Sequence, residues 1–342
     1  MDQILIILPL IVLAISWLRS KPLQLILISF LIFVVGFRSL HVGTDTENYY
    51  LFYYRIINDY NLESRYEPLY QLINYLVVKL QLGFEWVTFL SSVLTIIPLY
   101  FAFNKSSRFP IFSWFVYIAF CYYFQSFNIM RQSIAMSWVL LAICYLDSNK
   151  SFFDKDSNRK TIIFTSIAIL FHYTAILVLL IYLLNYITTK YKKWYAIQIG
   201  SFAFGLILSG PLFRILTSFL PFYEKFEVKE NFLSSLINLL ILNVAFIFFM
   251  NIVKVKDKWF NLFFCYIIFT NLVLQLPFAS RPMLYAGIAM TIFFPNMIVN
   301  NKLGIKLRPI VCIIIIAYCL FRFIRLYTGG DIFPYENVLY NF

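Results

Sequence analysis

Charge is scarce in this chain. Asp, Glu, Lys and Arg make up 13% of its 342 residues, about half the usual share in a water-soluble domain. With 61% hydrophobic residues and a mean hydropathy of +0.78, no soluble fold could hide the apolar surface, so a water-soluble enzyme is excluded. Histidine is scarcer still: His41 and His172 are the only two. That excludes a histidine-rich metal centre and argues against metal catalysis, so no metal and no cofactor is expected. Five cysteines lie inside apolar runs, without the paired spacing of a zinc or redox motif, and read as packing residues. Internal repeats, low-complexity tracts and a soluble segment are also missing, which leaves one transmembrane domain over residues 1–342. The lipid bilayer is the expected partner, and nucleic acid is not.

Long apolar runs are what the sequence has instead. Residues 22–37, 84–103, 232–250 and 308–320 carry almost no charge, and each approaches the roughly 20 residues that cross a bilayer. Only helices and closed barrels satisfy the backbone in lipid, so the expected fold is an all-α polytopic bundle of about ten spans. The first run, 3–18, follows Asp2 without a basic start and ends at Arg19 and Lys21. It reads as a retained span and not a signal peptide.

The positive-inside rule orients these spans. Arg19 and Lys21, Lys105 and Arg108, Lys150 to Lys160, Lys190 to Lys193, Lys254 to Lys258, and Lys302 to Arg308 mark cytoplasmic breaks. Loops 38–83, around 125–131, 210–231 and 279–282 then lie outside, with both termini. Residues 161–187 break the alternation, because this apolar run has basic loops on both sides. A re-entrant hairpin restores it: residues 161–171 rise about 16 Å, turn near His172 and descend through 173–187. His172 would then sit deep in the membrane, which requires protein or a wet cavity around the break. One long tilted span is the other reading, and it would invert every later loop against the charge rule.

Sorted by side, 17 basic residues fall inside and 11 outside, and the types segregate. Lys supplies 13 of the inner charges. Arg supplies eight of the outer ones: Arg38, Arg55, Arg65, Arg131, Arg214, Arg281, Arg322 and Arg325. Guanidinium forks bind phosphate oxygens bidentately and stay ionised when partly buried. Arg38 closes the second span, Arg131 opens another, Arg281 lies between two, and Arg322 and Arg325 are one turn apart in the last. Snorkelling to headgroups explains one arginine near a helix end; five converging on one face point to an anion site.

After the second span, Tyr49, Phe52, Tyr53, Ile56 and Ile57 recur at helical spacing. They indicate an amphipathic helix near 45–57 on the outer membrane surface. Thr44 and Glu47 fit a capping box at its start. Asp45 either favours the helix N-terminus through the dipole or offers a carboxylate to a sugar hydroxyl. Farther on, Asn128, Arg131 and Gln132 share a helix face that lipid would reject, so they face the interior. A lone histidine in an apolar run is either a hydrogen-bonded structural residue or, beside a wet cavity, a functional one. Aromatics are 20% of the chain; interfacial belts account for most, although a tyrosine inside a cavity, such as Tyr49, would suit stacking on sugar rings.

Several stretches carry a family resemblance. Gly43-Thr44-Asp45-Thr46 with Asn48-Tyr49, then Tyr66-Glu67-Pro68, then Asn128 to Ala135, then Ile167-Ala168 with Phe171 to Ala175, resemble the EpsG family of Wzy-like polysaccharide polymerases. They occur in the family's order, and Arg281 and Pro334-Tyr335 look like its closing elements. The resemblance implies an enzyme of the bacterial cytoplasmic membrane joining repeat units of O-antigen, capsule or exopolysaccharide on the outer face. Both substrates would be glycans on undecaprenyl diphosphate, with a possible chain-length regulator as partner and no metal or nucleotide sugar. On this reading Arg131, Arg281, Arg38, Arg322 and Arg325 hold diphosphates. His172 or Asp45 is the base, Glu67 orients the acceptor, and Asn128, Gln132 and Tyr49 complete the site. A lipid-linked oligosaccharide flippase would show two related halves, which this sequence lacks. A membrane O-acetyltransferase would need polar groups at the inner face. An O-antigen ligase differs only in its acceptor.

Overall fold

A computed structural model describes residues 1–18, 20–59, 66–147, 154–191, 193–219, 232–275, 280–302, 304–327 and 332–338. Arg19, Arg65, Lys150, Lys192 and most of the 210–231 loop lie outside the described residues. The chain is helical throughout: α1 Asp2–Ile15, α2 Lys21–Gly36, α3 Thr46–Asp59, α4 Pro68–Lys79, α5 Phe84–Ser106, α6 Pro110–Ala119, the single turn α7 Tyr122–Gln125, and α8 Met130–Tyr145. Then come α9 Lys155–Phe171, a 3-10 turn over Tyr173–Leu177, α10 Val178–Tyr191, α11 Trp194–Ile207 and α12 Ser209–Phe219. The last are α13 Phe232–Ile252, α14 Lys258–Leu272, α15 Ser280–Gly287, α16 Met290–Met297 and α17 Gly304–Leu326. Among the described residues, Phe84–Ser106, Tyr173–Lys190 and Arg308–Leu326 have the length and apolarity to cross a membrane, and six shorter apolar helices accompany them. The protein is an all-α membrane bundle, as its composition requires.

Local chemistry sets the helix starts. Proline opens α4 and α6, where a missing N–H costs nothing. Ser20 caps α2 by accepting from the Leu23 N–H, and Asp257 caps α14 by accepting from Trp259 and Phe260. Beyond its polar first turn helix α8 is largely apolar all round, and nearly all of it is buried, so it is the centre of the bundle. It packs on α5 and α9, and α5 packs on α2.

The two ends of α8 differ in chemistry. At its C-terminus Lys258 Nζ donates to the carbonyls of Ile143, Cys144 and Leu146 at 3.0–3.2 Å, satisfying acceptors the helix leaves open. Lys105 and Lys160 lie over the Tyr145 ring. Asn261, one turn after Lys258, donates to Thr189 next to Lys190. The lysine-rich breaks thus gather at one end, as the charge alternation demands. At the other end the Tyr335 N–H donates to Asp2 Oδ1 at 2.8 Å, and Ser39 and Val338 exchange backbone bonds with Glu336 and Phe37. Both termini therefore lie with Arg38, away from the lysines.

The chain also reverses at His172. Thr165 and Tyr182 hydroxyls meet at 2.9 Å, although 17 residues of straight helix would hold them about 25 Å apart. The expected hairpin is present, but its tip is not midway. Its arms run from Lys160 beside Tyr145 to His172 beside Glu67, and back to Thr189. They join the same two ends as α8, so His172 lies level with Glu67 at the lysine-poor end of the bundle and not, as expected, deep between its two ends.

Helix α3 buries Tyr49, Phe52, Tyr53 and Ile56, one stripe at three-and-four spacing. Ile57, expected on that stripe, is exposed. The buried face lies on protein: Phe52 packs on Tyr66 at 4.1 Å, Tyr49 on Tyr70, and Tyr50 on Phe84. Its cap also differs from expectation. The helix begins at Thr46, and the Tyr49 N–H bonds to the Asp45 carbonyl, so Asp45 holds the cap position. Thr44 precedes it, and Glu47 pairs with His41 at 3.7 Å.

Helices α11, α13 and α14 are joined by a buried amide chain. Gln198 donates to Asn243, Asn243 to Asn271, and Asn271 to Ser201, at 2.8–3.0 Å, the kind of polar contact that holds helices together in lipid. It forms where α11 and α14 touch at Gly205, whose added Cβ would collide with the Asn271 carbonyl. Gly205→Ala should therefore destabilise the protein by about 1–3 kcal/mol. Gly200→Ala, with no atom within 4 Å of its new carbon, should stay within about 0.5 kcal/mol. Denaturant unfolding in detergent checks both.

Candidate active site

Glu67 stands before Pro68, and that position is confined to extended backbone; its φ and ψ are −69° and 148°. The side chain makes no cap bond to α4 and is 3% exposed. One carboxylate oxygen pairs with Arg131 Nη1. The other meets His172 Nδ1 at 2.7 Å and accepts from the Tyr173 N–H at 3.3 Å. Three elements converge on this carboxylate: the start of α4, the start of α8, and the turn after α9.

Each partner is placed by its own backbone. Arg131 is the second residue of α8, and its guanidinium lies over Tyr66 at 4.6 Å, with Tyr49 and Tyr70 at 5.8 and 5.9 Å. The aromatic faces add cation–π attraction to the ion pair. His172 is extended between α9 and the 3-10 turn, so its ring projects from the break. Burial pushes the Glu67 carboxyl up, but the His172 hydrogen bond and the Arg131 charge outweigh it and hold the group at about 2. An ionised Glu67 on Nδ1 keeps that nitrogen protonated and leaves Nε2 as the acceptor.

Beside this cluster is a cavity of about 260 Å³ lined by Asp45, Asn48, Tyr49, Arg55, Tyr66 and Arg131, among others. A contact between two loops precedes its lining residue Asp45. The Thr44 N–H donates to Asn128 Oδ1 at 2.7 Å, and Gly43 has φ +95°, where an added Cβ would lie 2.7 Å from that oxygen and 2.9 Å from the Phe127 carbonyl. Only glycine fits there. The contact fixes Asp45 and the start of α3 against the start of α8.

The structure thus brings together six of the expected residues: Asp45, Tyr49, Glu67, Asn128, Arg131 and His172. Neither Glu67 nor His172 lines the cavity, and the Glu67 oxygens are taken by Arg131, His172 and Tyr173. Asn128 holds a loop, and Gln132 is buried at 2% exposure. Arg38 is buried away from the cavity, donating to the carbonyls of Val35 and Phe127 at 2.7 and 3.0 Å. Arg322 and Arg325 line a different cavity. The Arg281 side chain lies outside the described residues, although its helix α15 reaches the site through Tyr285, whose hydroxyl is 3.1 Å from Thr174. Sequence reasoning left Arg55 among the outer arginines and Tyr66 in a motif without giving either a role, and it missed Tyr70 and Tyr285. Tyr66 stands two residues before α4 and Tyr70 in its first turn, whereas nothing local marks Tyr285.

Comparison with known proteins is brief. The EpsG family model matches residues 22–337, nearly the whole chain. No curated protein and no solved structure matches.

The Glu67 carboxylate makes a pH prediction. Held at about 2 in the folded protein against an ordinary 4.5, it stabilises fully above 4.5, and that contribution is lost as pH falls toward 2. Glu67→Gln should melt below wild type by a constant margin between pH 5 and 8, and the margin should shrink below pH 4.5. Thermal unfolding across that range measures it.

Proposed function

The chain belongs to the EpsG family of Wzy-like polysaccharide polymerases, and we propose that it joins lipid-linked oligosaccharide repeat units on the outer face of the bacterial cytoplasmic membrane. The observation that carries the site assignment is the Glu67 carboxylate bridging Arg131 and His172 at the edge of a tyrosine-walled cavity.

The donor is a glycan on undecaprenyl diphosphate, and the acceptor a second lipid-linked glycan. His172 Nε2 removes the proton from the acceptor hydroxyl. That oxygen attacks the anomeric carbon, the carbon–oxygen bond to diphosphate breaks, and the electron pair leaves with the phosphate. Charge grows on the diphosphate in this step, and a guanidinium fixed in a water-poor site stabilises it most. Arg131 supplies one such group, with Arg281 as a second. Glu67 touches no sugar; it is the positioning residue that sets the His172 tautomer and holds Arg131 in register. Asp45 and Asn48 offer oxygen and amide groups to sugar hydroxyls, and Tyr49 and Tyr66 offer faces for stacking. The lysine-rich end would face the cytoplasm and both termini the outside.

The surface polysaccharide ladder tests this reading. A deletion strain should carry single repeat units only, and wild-type protein should restore the ladder. Arg131→Ala and His172→Ala, at equal expression, should lose it by 100-fold or more, the scale expected for an electrostatic or acid–base group. Loss of the single unit itself would indicate a flippase or ligase instead.

A further inference from the structure

Arg322 differs from Arg131 and Arg38 in what surrounds it. Arg131 has Glu67 as counter-charge, and Arg38 donates to two backbone carbonyls. Arg322 has no carboxylate within 4 Å among the described residues. Among the described residues its hydrogen-bond partners are the phenols of Tyr266, at a long 3.4 Å, and Tyr318, and its Nε is buried with no acceptor. The guanidinium does not snorkel outward, but lies over Phe120 at 4.7 Å, toward the bundle interior. A cation in such a place is costly unless something anionic joins it.

The space for that anion is present. Arg322 and Arg325 line a cavity of about 290 Å³ with Tyr266, Tyr318 and Thr270, close to the lower end of small-molecule sites, about 300 Å³. Ile241, Phe321 and Leu326 also line it and are 42%, 47% and 40% exposed, and Ile324 and Leu240 continue that apolar surface on α17 and α13. The opening therefore faces lipid. The cavity shares no lining residue with the one at Arg131. Helix α15 stands between them, with Met283 on one cavity and Tyr285 bonded to Thr174 beside His172.

We propose that the Arg322–Arg325 cavity is a second site, for a lipid-borne phosphate or diphosphate, whose headgroup pairs with Arg322 and whose hydrocarbon tail leaves past Ile241 and Phe321 into the bilayer. A polymerase that consumes two lipid-linked glycans needs two such places, one on each side of α15; that assignment of the lipid rests on the polymerase reading. The phosphate site itself rests on Arg322 alone.

Native mass spectrometry of the full chain, with undecaprenyl diphosphate, phosphatidylglycerol and undecaprenol as separate probes, tests it. Two undecaprenyl diphosphates should bind per chain, and undecaprenol should bind neither site. Arg322→Gln should weaken one of the two at least tenfold and Arg131→Gln the other. Leu242→Trp, which fills the second cavity and keeps both arginines, should abolish the same site as Arg322→Gln. Phosphatidylglycerol displacing one diphosphate lipid at equal concentration would support the site and assign it to bulk anionic lipid. Failure to displace would support it as a substrate site. Undiminished binding of both lipids in Arg322→Gln and Leu242→Trp, or equal binding of undecaprenol, would overturn it. A ladder insensitive to Arg131→Ala alongside Arg322-dependent lipid binding would sink the polymerase reading and leave the phosphate site standing.

Discussion

A single buried carboxylate ties the active end of this protein together. Glu67 belongs to the segment between α3 and α4, Arg131 to α8, and His172 to the turn between α9 and α10. None of the three could hold its position alone. A carboxylate at 3% exposure is tolerated because each oxygen has a donor, and removing one donor would leave a buried charge uncompensated. The geometry of the site is therefore a consequence of charge balance as much as of packing.

That balance also separates roles among the arginines. Arg38 is satisfied by two carbonyls and by the Phe127 ring, and it pins the end of α2 to the loop before α8. Arg131 is half satisfied: Glu67 fixes one edge of its guanidinium, and the cavity lies at its side. Arg322 has phenols and a ring around it, and no carboxylate within 4 Å among the described residues. The same residue type thus makes a fold contact at Arg38, an ion pair beside a cavity at Arg131, and a guanidinium among aromatic rings at Arg322. The difference lies in what each guanidinium meets and not in where it falls in the sequence.

The aromatic content follows a similar division. Phe52, Tyr66 and Tyr70 form a stack that seats α3 on α4, and the same Tyr66 and Tyr70 faces surround Arg131. A surface helix that could have rested on lipid is held on protein instead. This keeps Asp45 and Asn48 facing the cavity and not the bilayer.

Composition alone determined the class of fold, since 13% charge and long apolar runs permit only a membrane bundle. The placement of lysines determined which breaks share an end, and the structure gathers them around Tyr145 and Lys258. The reversal at His172 was legible too, because a straight span there would have violated charge alternation. The order of short motifs marked the family. What only the tertiary structure decided is which polar residues meet. Glu67, Arg131 and His172 are separated by 64 and 105 positions from the first to each of the others, and helical periodicity carries no information across such distances. Depth was misjudged for the same reason: the sequence put His172 deep in the membrane, but an apolar run gives only its length, whereas the level of its turn is set by the partner it pairs with, here the Glu67 carboxylate just before α4.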